Sequence, residues 1–319
     1  MISCQTVVNI IEKLAPKKLA CDWDNPGLMV GDFARGVDKI LVALTVTEQV
    51  VDYAIENEYG MIVAHHPLIF KSIKSIRNDL PLGKIMYKAI KNDMVIYSAH
   101  TNLDVALGGV NDVLADALQL ENVSVLKPTF SEGLKKIVVY TPRGFEDDVR
   151  NALFQAGAGH IGNYSHCSFN IDGYGTFKPL EGTKPFIGSI GNIERADEIR
   201  IETVVPENLV NKAIKAMLKV HPYEEVAYDV FPLDNKNFEL GLGRIGVLKN
   251  EMSLKELSDY VKKVLNAPYL RVVGNLSKPV HKVAVCGGAG SDFITTAKFL
   301  GADVYITGDV KYHDAVDAI

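Results

Sequence analysis

Two apolar runs of the sequence end in imidazole and carboxylate side chains. His65 and His66 follow the first run, and His100 and Asp104 follow the second. Such runs predict strands buried on both faces, and ligands of open α/β sheets bind just beyond the carboxyl ends of such strands. Imidazole and carboxylate groups are suitable ligands for zinc, iron or manganese. The sequence therefore predicts a metal site at one edge of a sheet, with solvated or buried structural histidines as the competing interpretation.

The adjacent histidines suggest two ions rather than one. Neighbouring side chains on a regular strand point to opposite sides, but Pro67 keeps His66 out of the α region, so the backbone can turn there. His65 and His66 could then each serve a different ion, with a carboxylate between them. A site for two divalent ions is the first hypothesis.

Length, composition and charge indicate a globular, cytoplasmic protein. The 319 residues suggest about two domains, and 47% hydrophobic with 23% charged residues is an ordinary balance for a protein with a core. A net charge of −5 opposes nucleic-acid binding. No apolar run reaches the roughly 20 residues of a membrane span, and the first residues lack a signal-peptide pattern. The cysteines, which lack close spacing, are interpreted as reduced thiols.

Strands and helices alternate along the first part of the chain. Strands are predicted at 39–44, 61–64 and 94–98, with helices at 47–59, 83–92 and 110–118. Before them, the Asn-Pro-Gly segment at 21–31 predicts a loop. Its Asp22 and Asp24 could face a cation, but turn capping is the favoured interpretation for acidic residues there. In the loop 68–80, Lys71, Lys74 and Arg77 could attract an anionic substrate or simply be solvated. The alternation predicts βαβ units and a mainly parallel sheet.

The pattern changes near residue 127 and changes back near residue 239. Residues 127–238 contain strand–helix–strand twice, which predicts a ferredoxin-like α+β domain inserted into the chain. Its His160, His166 and His221 share no convincing ligand spacing, so we interpret them as structural or surface residues. From 239 onward the α/β pattern resumes, with strands at 244–248, 269–273, 282–286 and 303–307. The glycine-rich segment 287–290 predicts a tight strand–helix turn, since neither a P-loop nor a full dinucleotide motif is present.

Five motifs, in order along the chain, resemble those of the Nif-three-like family, the GTP cyclohydrolase 1 type 2 homologues. They are Asp-Trp-Asp-Asn-Pro-Gly-Leu, Ala-His-His-Pro, His-Thr-Asn-Leu-Asp, Cys-Gly-Gly-Ala-Gly and Thr-Gly-Asp-Val-Lys-Tyr-His-Asp-Ala. The inserted segment resembles that of the long bacterial form of the family. The resemblance covers essentially the whole chain.

This resemblance implies a fold, an assembly and a site. The fold class is α/β, a two-lobed, mainly parallel-sheet domain interrupted by a ferredoxin-like α+β insertion. We expect 1–126 to be an N-terminal α/β lobe with metal-binding strand ends, 127–238 the inserted domain, and 239–319 a C-terminal α/β lobe. The resemblance also implies a homohexameric ring and a dinuclear site of two zinc, iron or manganese ions, with His65, His66 and Asp104 as metal ligands.

The resemblance also points to differences from the family. The family completes its site with a histidine and a glutamate in a Gly-His-x-x-x-Glu motif, which these 319 residues lack, and His313 belongs to an earlier motif. Thr45 stands where the family often has an aspartate. We therefore expect a truncated C-terminal lobe, an incomplete metal cage, and a chain that folds but retains little metal.

The leading hypothesis for function is a metal-dependent hydrolase that directs water at a nucleotide-like heterocycle, a small-molecule substrate. His100 is the candidate catalytic residue, as a proton shuttle or as an outer group that orients a ligand. The alternative is a non-catalytic, metal-binding or regulatory hexameric assembly. A closed metal cage would favour the alternative, and an open ligand position would favour the hydrolase.

Overall fold

The computed structural model describes residues 1–318, which form twelve strands and ten α-helices. The strands are β1 (Ile2–Ser3), β2 (Gly27–Val30), β3 (Gly36–Val37), β4 (Ile40–Ala43), β5 (Met61–Ala64), β6 (Val95–Ser98), β7 (Glu121–Pro142), β8 (Phe169–Phe177), β9 (Glu194–Pro206), β10 (Tyr228–Ser253), β11 (Pro279–Cys286) and β12 (Val304–Thr307). The helices are α1 (Cys4–Leu14), α2 (Glu48–Glu56), α3 (Pro81–Lys91), α4 (Thr101–Val105), α5 (Val110–Ala117), α6 (Glu146–Gln155), α7 (Val210–Val220), α8 (Leu254–Val264), α9 (Ile294–Phe299) and α10 (Tyr312–Asp317). None of these helices is both long and apolar enough to cross a membrane.

The chain forms two compact units. Unit 1 comprises Met1–Phe130 together with the chain from Leu240 onward, and unit 2 is Ser131–Glu239. The chain leaves unit 1 within β7 and returns to it within β10. Unit 2 is therefore an insertion in the sequence of unit 1.

The N-terminal sheet of unit 1 has the strand order β2-β6-β5-β4 and carries helices on both faces. The central strands β5 and β6 are apolar on both sides because both of their sides are covered. Met61 packs in a cluster with Val7 and Val8 of α1, while the next residue, Ile62, packs in a second cluster with residues of α2 and α3. The three layers hold the carboxyl ends of β5 and β6 in fixed positions.

The prediction of a mainly parallel sheet is wrong, because the sheets of the molecule are mixed. β4, β5 and β6 are parallel, as are β11 and β12. However, β2 is antiparallel to β6, and β10 is antiparallel to β11. The predicted loop at 21–31 thus contains a strand, β2, which joins the sheet without a helical crossover.

β10 and β11 are antiparallel although helix α8 lies between them, and the path of the chain after α8 explains why. Helix α8 follows β10, and residues 265–278 return along it, with hydrogen bonds from Leu254 N to Lys278 O at 2.9 Å and from Lys255 N to Leu276 O at 3.0 Å. β11 therefore begins where β10 ends. The predicted strand at 269–273 is wrong, since this run is part of the return path and pairs with no strand of residues 1–318. Its β-branched residues favour a strand only where a partner is available.

The ferredoxin-like prediction for the insertion is confirmed by the strand order of unit 2. The order is β10-β7-β9-β8, β9 is antiparallel to β7 and to β8, and α6 and α7 cover one face. Alternate residues of β9, such as Ile199 and Ile201, pack against these helices in the core. The intervening residues, Glu198 and Arg200, lie on the opposite face of the sheet.

Candidate metal centre

The ends of two adjacent parallel strands bring the predicted histidines together. His65 and His66 continue directly from β5, and His65 N donates to Ala43 O at 3.1 Å. His100 follows β6, where Ala99 N donates to Ala64 O at 2.9 Å. Because β5 and β6 are in register up to their last residues, their following side chains meet at the same edge.

His65, His66 and His100 form a compact group. One ring nitrogen from each lies within 4.8 Å of the others. The ring centroids are 5.3 Å apart for His65 and His66, 5.1 Å for His65 and His100, and 5.8 Å for His66 and His100. His66 is exposed and the other two are half-buried, so the group can be reached from solvent.

The outward nitrogens of His65 and His66 are held by neighbouring oxygen atoms. His65 Nδ1 lies 2.9 Å from the carbonyl oxygen of Ala99, which can only accept, so Nδ1 carries the proton. His66 Nδ1 lies 2.8 Å from Thr45 Oγ1. These contacts leave Nε2 of each ring for a ligand, which is the arrangement expected of metal-binding histidines.

Asp24 orients the third histidine. Its side chain has no solvent exposure, and Oδ1 lies 2.8 Å from His100 Nδ1. Oδ2 accepts hydrogen bonds from Thr101 N at 3.0 Å and from Thr101 Oγ1 at 2.5 Å. Burial alone would raise the pKa of Asp24, but the hydrogen bonds from Thr101 and His100 lower it below its usual value. The sequence suggested turn capping for Asp24, and its distance along the chain from His100 gives no signal of this contact.

Asp104, a predicted metal ligand, lies beside the histidine group. Its Oδ1 is 3.8 Å from His65 Nε2. Burial, and secondarily the charge of Asp24, raise the pKa of Asp104 to about 6, against the effects of His100 and His66. A bound cation would favour the ionised carboxylate that burial disfavours.

Burial also favours the metal-binding form of the histidines. It lowers the pKa of His65 and of His66, and the neighbouring imidazoles lower both further. Both rings are therefore neutral at neutral pH, which is the form that binds metals. Three imidazoles and a nearby carboxylate are a donor set that fits zinc, iron or manganese.

Asn111 connects Asp104 to the C-terminal part of unit 1. It is fully buried, its Nδ2 donates to Asp104 O at 2.9 Å, and its Oδ1 accepts from Gly287 N at 2.9 Å. The glycine-rich turn beginning at Gly287 thus supports the site through its backbone. Sequence reasoning placed a tight turn here but did not find Asn111, which has no motif around it. His313 lies exposed on α10 and is not part of the histidine group.

The structure thus defines an α/β protein with a ferredoxin-like insertion and a histidine group that could hold a metal ion at a sheet edge. The chain belongs to the Duf34/NIF3 (NGG1p interacting factor 3) family, whose model matches residues 2–319.

Relatives and solved structures agree with this membership. The chain is 50% identical over 318 residues to the GTP cyclohydrolase 1 type 2 homolog of Bacillus subtilis (strain 168), covering 100% of this chain and 85% of the relative. A Bacillus cereus protein related to NIF3 has a similar structure, with a TM-score of 0.89 and 53% identity over 99% of this chain and 85% of that one. Staphylococcus aureus protein SA1388 follows with a TM-score of 0.80 and 31% identity, covering 99% of this chain and 84% of that one.

Proposed function

We propose that this protein is a divalent-metal-dependent hydrolase that acts on a nucleotide-like heterocycle. The observation that carries the proposal is the convergence of three imidazoles, whose ring nitrogens lie within 4.8 Å of one another. Outward contacts to Ala99, Thr45 and Asp24 orient the rings. The name of the Bacillus subtilis relative, a GTP cyclohydrolase 1 type 2 homolog, agrees with the proposed substrate class.

His65, His66 and Asp104 would hold the ions in this proposal. Divalent ions supply Lewis acidity and lower the pKa of water, which makes a nucleophile available at neutral pH. His100 is positioned either to complete the ligand set or to carry a proton, because its Nδ1 is engaged by Asp24 and its other nitrogen is left for the site.

An exposed aromatic pair beside His100 supports a planar substrate. The Trp23 ring lies 6.2 Å from the His100 ring and 6.0 Å from the Phe70 ring, and its side chain is exposed. Aromatic faces stack readily on heterocyclic bases. Lys71 and Lys74 follow Phe70 in an exposed segment and could attract phosphate groups, whereas Arg77 is already paired with Asp79.

Metal binding is the first test. The chain is loaded separately with zinc, manganese and ferrous iron, dialysed, and its metal content is measured. We expect His65→Ala and His66→Ala to lose metal relative to the natural chain, because each removes a ligand. His160→Ala removes an exposed histidine of unit 2 and serves as the matched control. Because the expected cage is incomplete, metal bound in the presence of excess ion is measured as well as metal retained after dialysis. Equal binding by all four proteins in excess ion would refute the proposed centre, and the measured ratio tests the expected pair of ions.

Catalysis is the second test. The metal-loaded chain is incubated with GTP, and formate release is followed. Turnover that is lost in His65→Ala and retained in His160→Ala supports the hydrolase. Metal binding without turnover above the His65→Ala background would rule out cyclohydrolase activity and favour the non-catalytic, regulatory role.

A further inference from the structure

Unit 2 contains a cavity of about 660 Å³ on the sheet face opposite α6 and α7. Tyr140, Glu198 and Arg200 lie on this face because they alternate with the core residues of β7 and β9. Residues of the loop 178–193 also line the cavity, among them Phe186. This loop is tied down by a hydrogen bond from Lys184 N to Glu224 Oε2 at 2.8 Å. The volume is that of a small-molecule site.

Two glycines of β8 create the space. Gly173 is the cross-strand partner of Glu198, and a Cβ atom at Gly173 would meet nothing within 4 Å. A Cβ atom at Gly175 would collide with the carboxylate of Glu198. The strand therefore leaves room in front of Glu198 where ordinary strand residues would fill it.

Glu198 is the buried acidic residue of the cavity, whose lining also includes the exposed Lys178. It is 9% exposed, the ion pairs of the described residues do not include it, and the Tyr223 hydroxyl lies beside it. By contrast, Arg200 is paired with Glu202 at 2.8 Å, and Asp172 is paired with Arg143 at 2.8 Å. A buried carboxylate without a cationic partner is costly, so it favours binding of a positive charge.

Aromatic rings stand beside this carboxylate. The Tyr223 ring lies 6.1 Å from the Phe177 ring and 6.2 Å from the Phe186 ring. His221 fixes Tyr223, since its Nδ1 accepts from Tyr223 N at 3.1 Å and its Nε2 lies 3.0 Å from Tyr140 O. Burial and the nearby Glu198 raise the pKa of Tyr223, so its hydroxyl stays neutral. Aromatic faces and a carboxylate together recognise organic cations.

We propose that unit 2 binds a small organic cation with a flat apolar body. Its protonated nitrogen donates hydrogen bonds to Glu198, and its body lies against Phe177, Phe186 and Tyr223. The site is distinct in chemistry from the histidine group, whose donors suit metal ions. Failure of the cation-binding proposal would not contradict the proposed hydrolase function, because the two tests use different ligands and different variants.

Three probes of one shape test the charge preference. Tryptamine is the cation, tryptophol its neutral counterpart and indole-3-propionate an anion of similar body. Binding to the full chain is measured by calorimetry and by ligand-observed NMR. We expect tryptamine to bind at least about tenfold more tightly than either counterpart, since charge-assisted hydrogen bonds are the stronger kind. No tryptamine binding, or equal binding of all three probes, would overturn the proposal.

Two variants locate the binding in the cavity. Glu198→Gln keeps the shape and removes the charge, so tryptamine affinity should fall at least about tenfold. Gly173→Val fills the space with a residue that strands favour, so binding should be lost while the fold persists. Asp197→Asn changes the exposed neighbour of Glu198 and is the matched control. Unchanged affinity in both test variants would overturn the proposal, as would self-association that buries Phe186 in the free chain.

Discussion

The buried carboxylate of Asp24 offers a single-residue test of the metal centre. Asp24→Asn keeps the size of the side chain but removes the charge that holds His100 Nδ1. We expect metal affinity to fall by about 10- to 100-fold, because outer partners orient ligands and raise their basicity. Calorimetric titration with zinc measures the change. Asp22→Asn alters an exposed neighbour and should leave the zinc affinity unaltered. A zinc affinity of Asp24→Asn equal to that of the natural chain would contradict the orienting role of Asp24.

A second carboxylate, Asp112, stabilises unit 1 through Arg244. Arg244 is 3% exposed, its Nε donates to Asp112, and its Nη1 donates to Gly241 O and Gly243 O, each at 2.9 Å. Burial would raise the pKa of Asp112, but the hydrogen bonds from Arg244 and Gly108 N lower it below 3.8. A lowered folded pKa contributes stability above the unfolded pKa, and that stability is lost as the pH falls through the folded pKa.

Asp112→Asn should therefore destabilise the protein in a pH-dependent way. At neutral pH we expect a loss of about 3 kcal/mol in the free energy of unfolding, since a buried cation loses its partner. The difference from the natural chain should shrink in acid, where Asp112 is protonated in both folded and unfolded states. Urea unfolding at several pH values measures it, with the exposed Asp116→Asn on the same helix as control. A difference that is constant with pH would contradict this account.

At the scale of the secondary-structure elements, α8 begins with a capping box that can be tested directly. Ser253 Oγ accepts from Glu256 N at 3.2 Å, and Glu256 Oε2 accepts from Ser253 N at 2.8 Å. Ser253→Ala should lower the free energy of unfolding by about 1 kcal/mol, since a helix N–H loses its partner. Chemical denaturation measures the loss. Ser277→Ala, in the exposed return segment, should change stability by less than about 0.5 kcal/mol.

Elements with a clear period could be predicted from sequence, and those defined by a partner could not. The helix over 110–118 and the strand at 61–64 were recognisable from the spacing of apolar residues. β2 was missed because it begins at Gly27, the glycine of Asn-Pro-Gly, and its four residues form a strand only beside β6. The run 269–273 has strand-forming residues but lies on the return path from α8, which only the pairing of β10 with β11 reveals.

The candidate site shows the same division. His65, His66 and His100 could be placed at one edge because each follows a predicted strand. Asp24 and Asn111 could not be found as supports. Asp24 lies 76 residues from His100, and Asn111 supports the site by joining Asp104 to Gly287, which is 176 residues further along the chain. Sequence spacing identifies side chains that share an element, whereas outer contacts depend on tertiary packing.

At the scale of the whole molecule, we predict that the chain forms a homohexamer. β4 lies at the edge of its sheet, and its Val42 is 78% exposed. A free edge with exposed apolar side chains is a template for association with a second copy. Light scattering should give a mass near that of six chains for the natural protein, and Val42→Lys should give smaller species. A natural monomer would contradict the hexamer, and an unchanged mass for Val42→Lys would contradict a role for this edge.

The neighbouring positions of β7 and β10 have a consequence for how this gene can change. Phe130 and Leu240, where unit 1 is left and re-entered, pack in the same apolar cluster. If codons 131–239 were deleted, a two-residue hairpin turn could thus join Phe130 to Leu240 without changing the path of the chain through unit 1. In the same way, a different domain could be inserted at this point without moving His65, His66 and His100. The insertion and the metal centre can therefore evolve independently of each other.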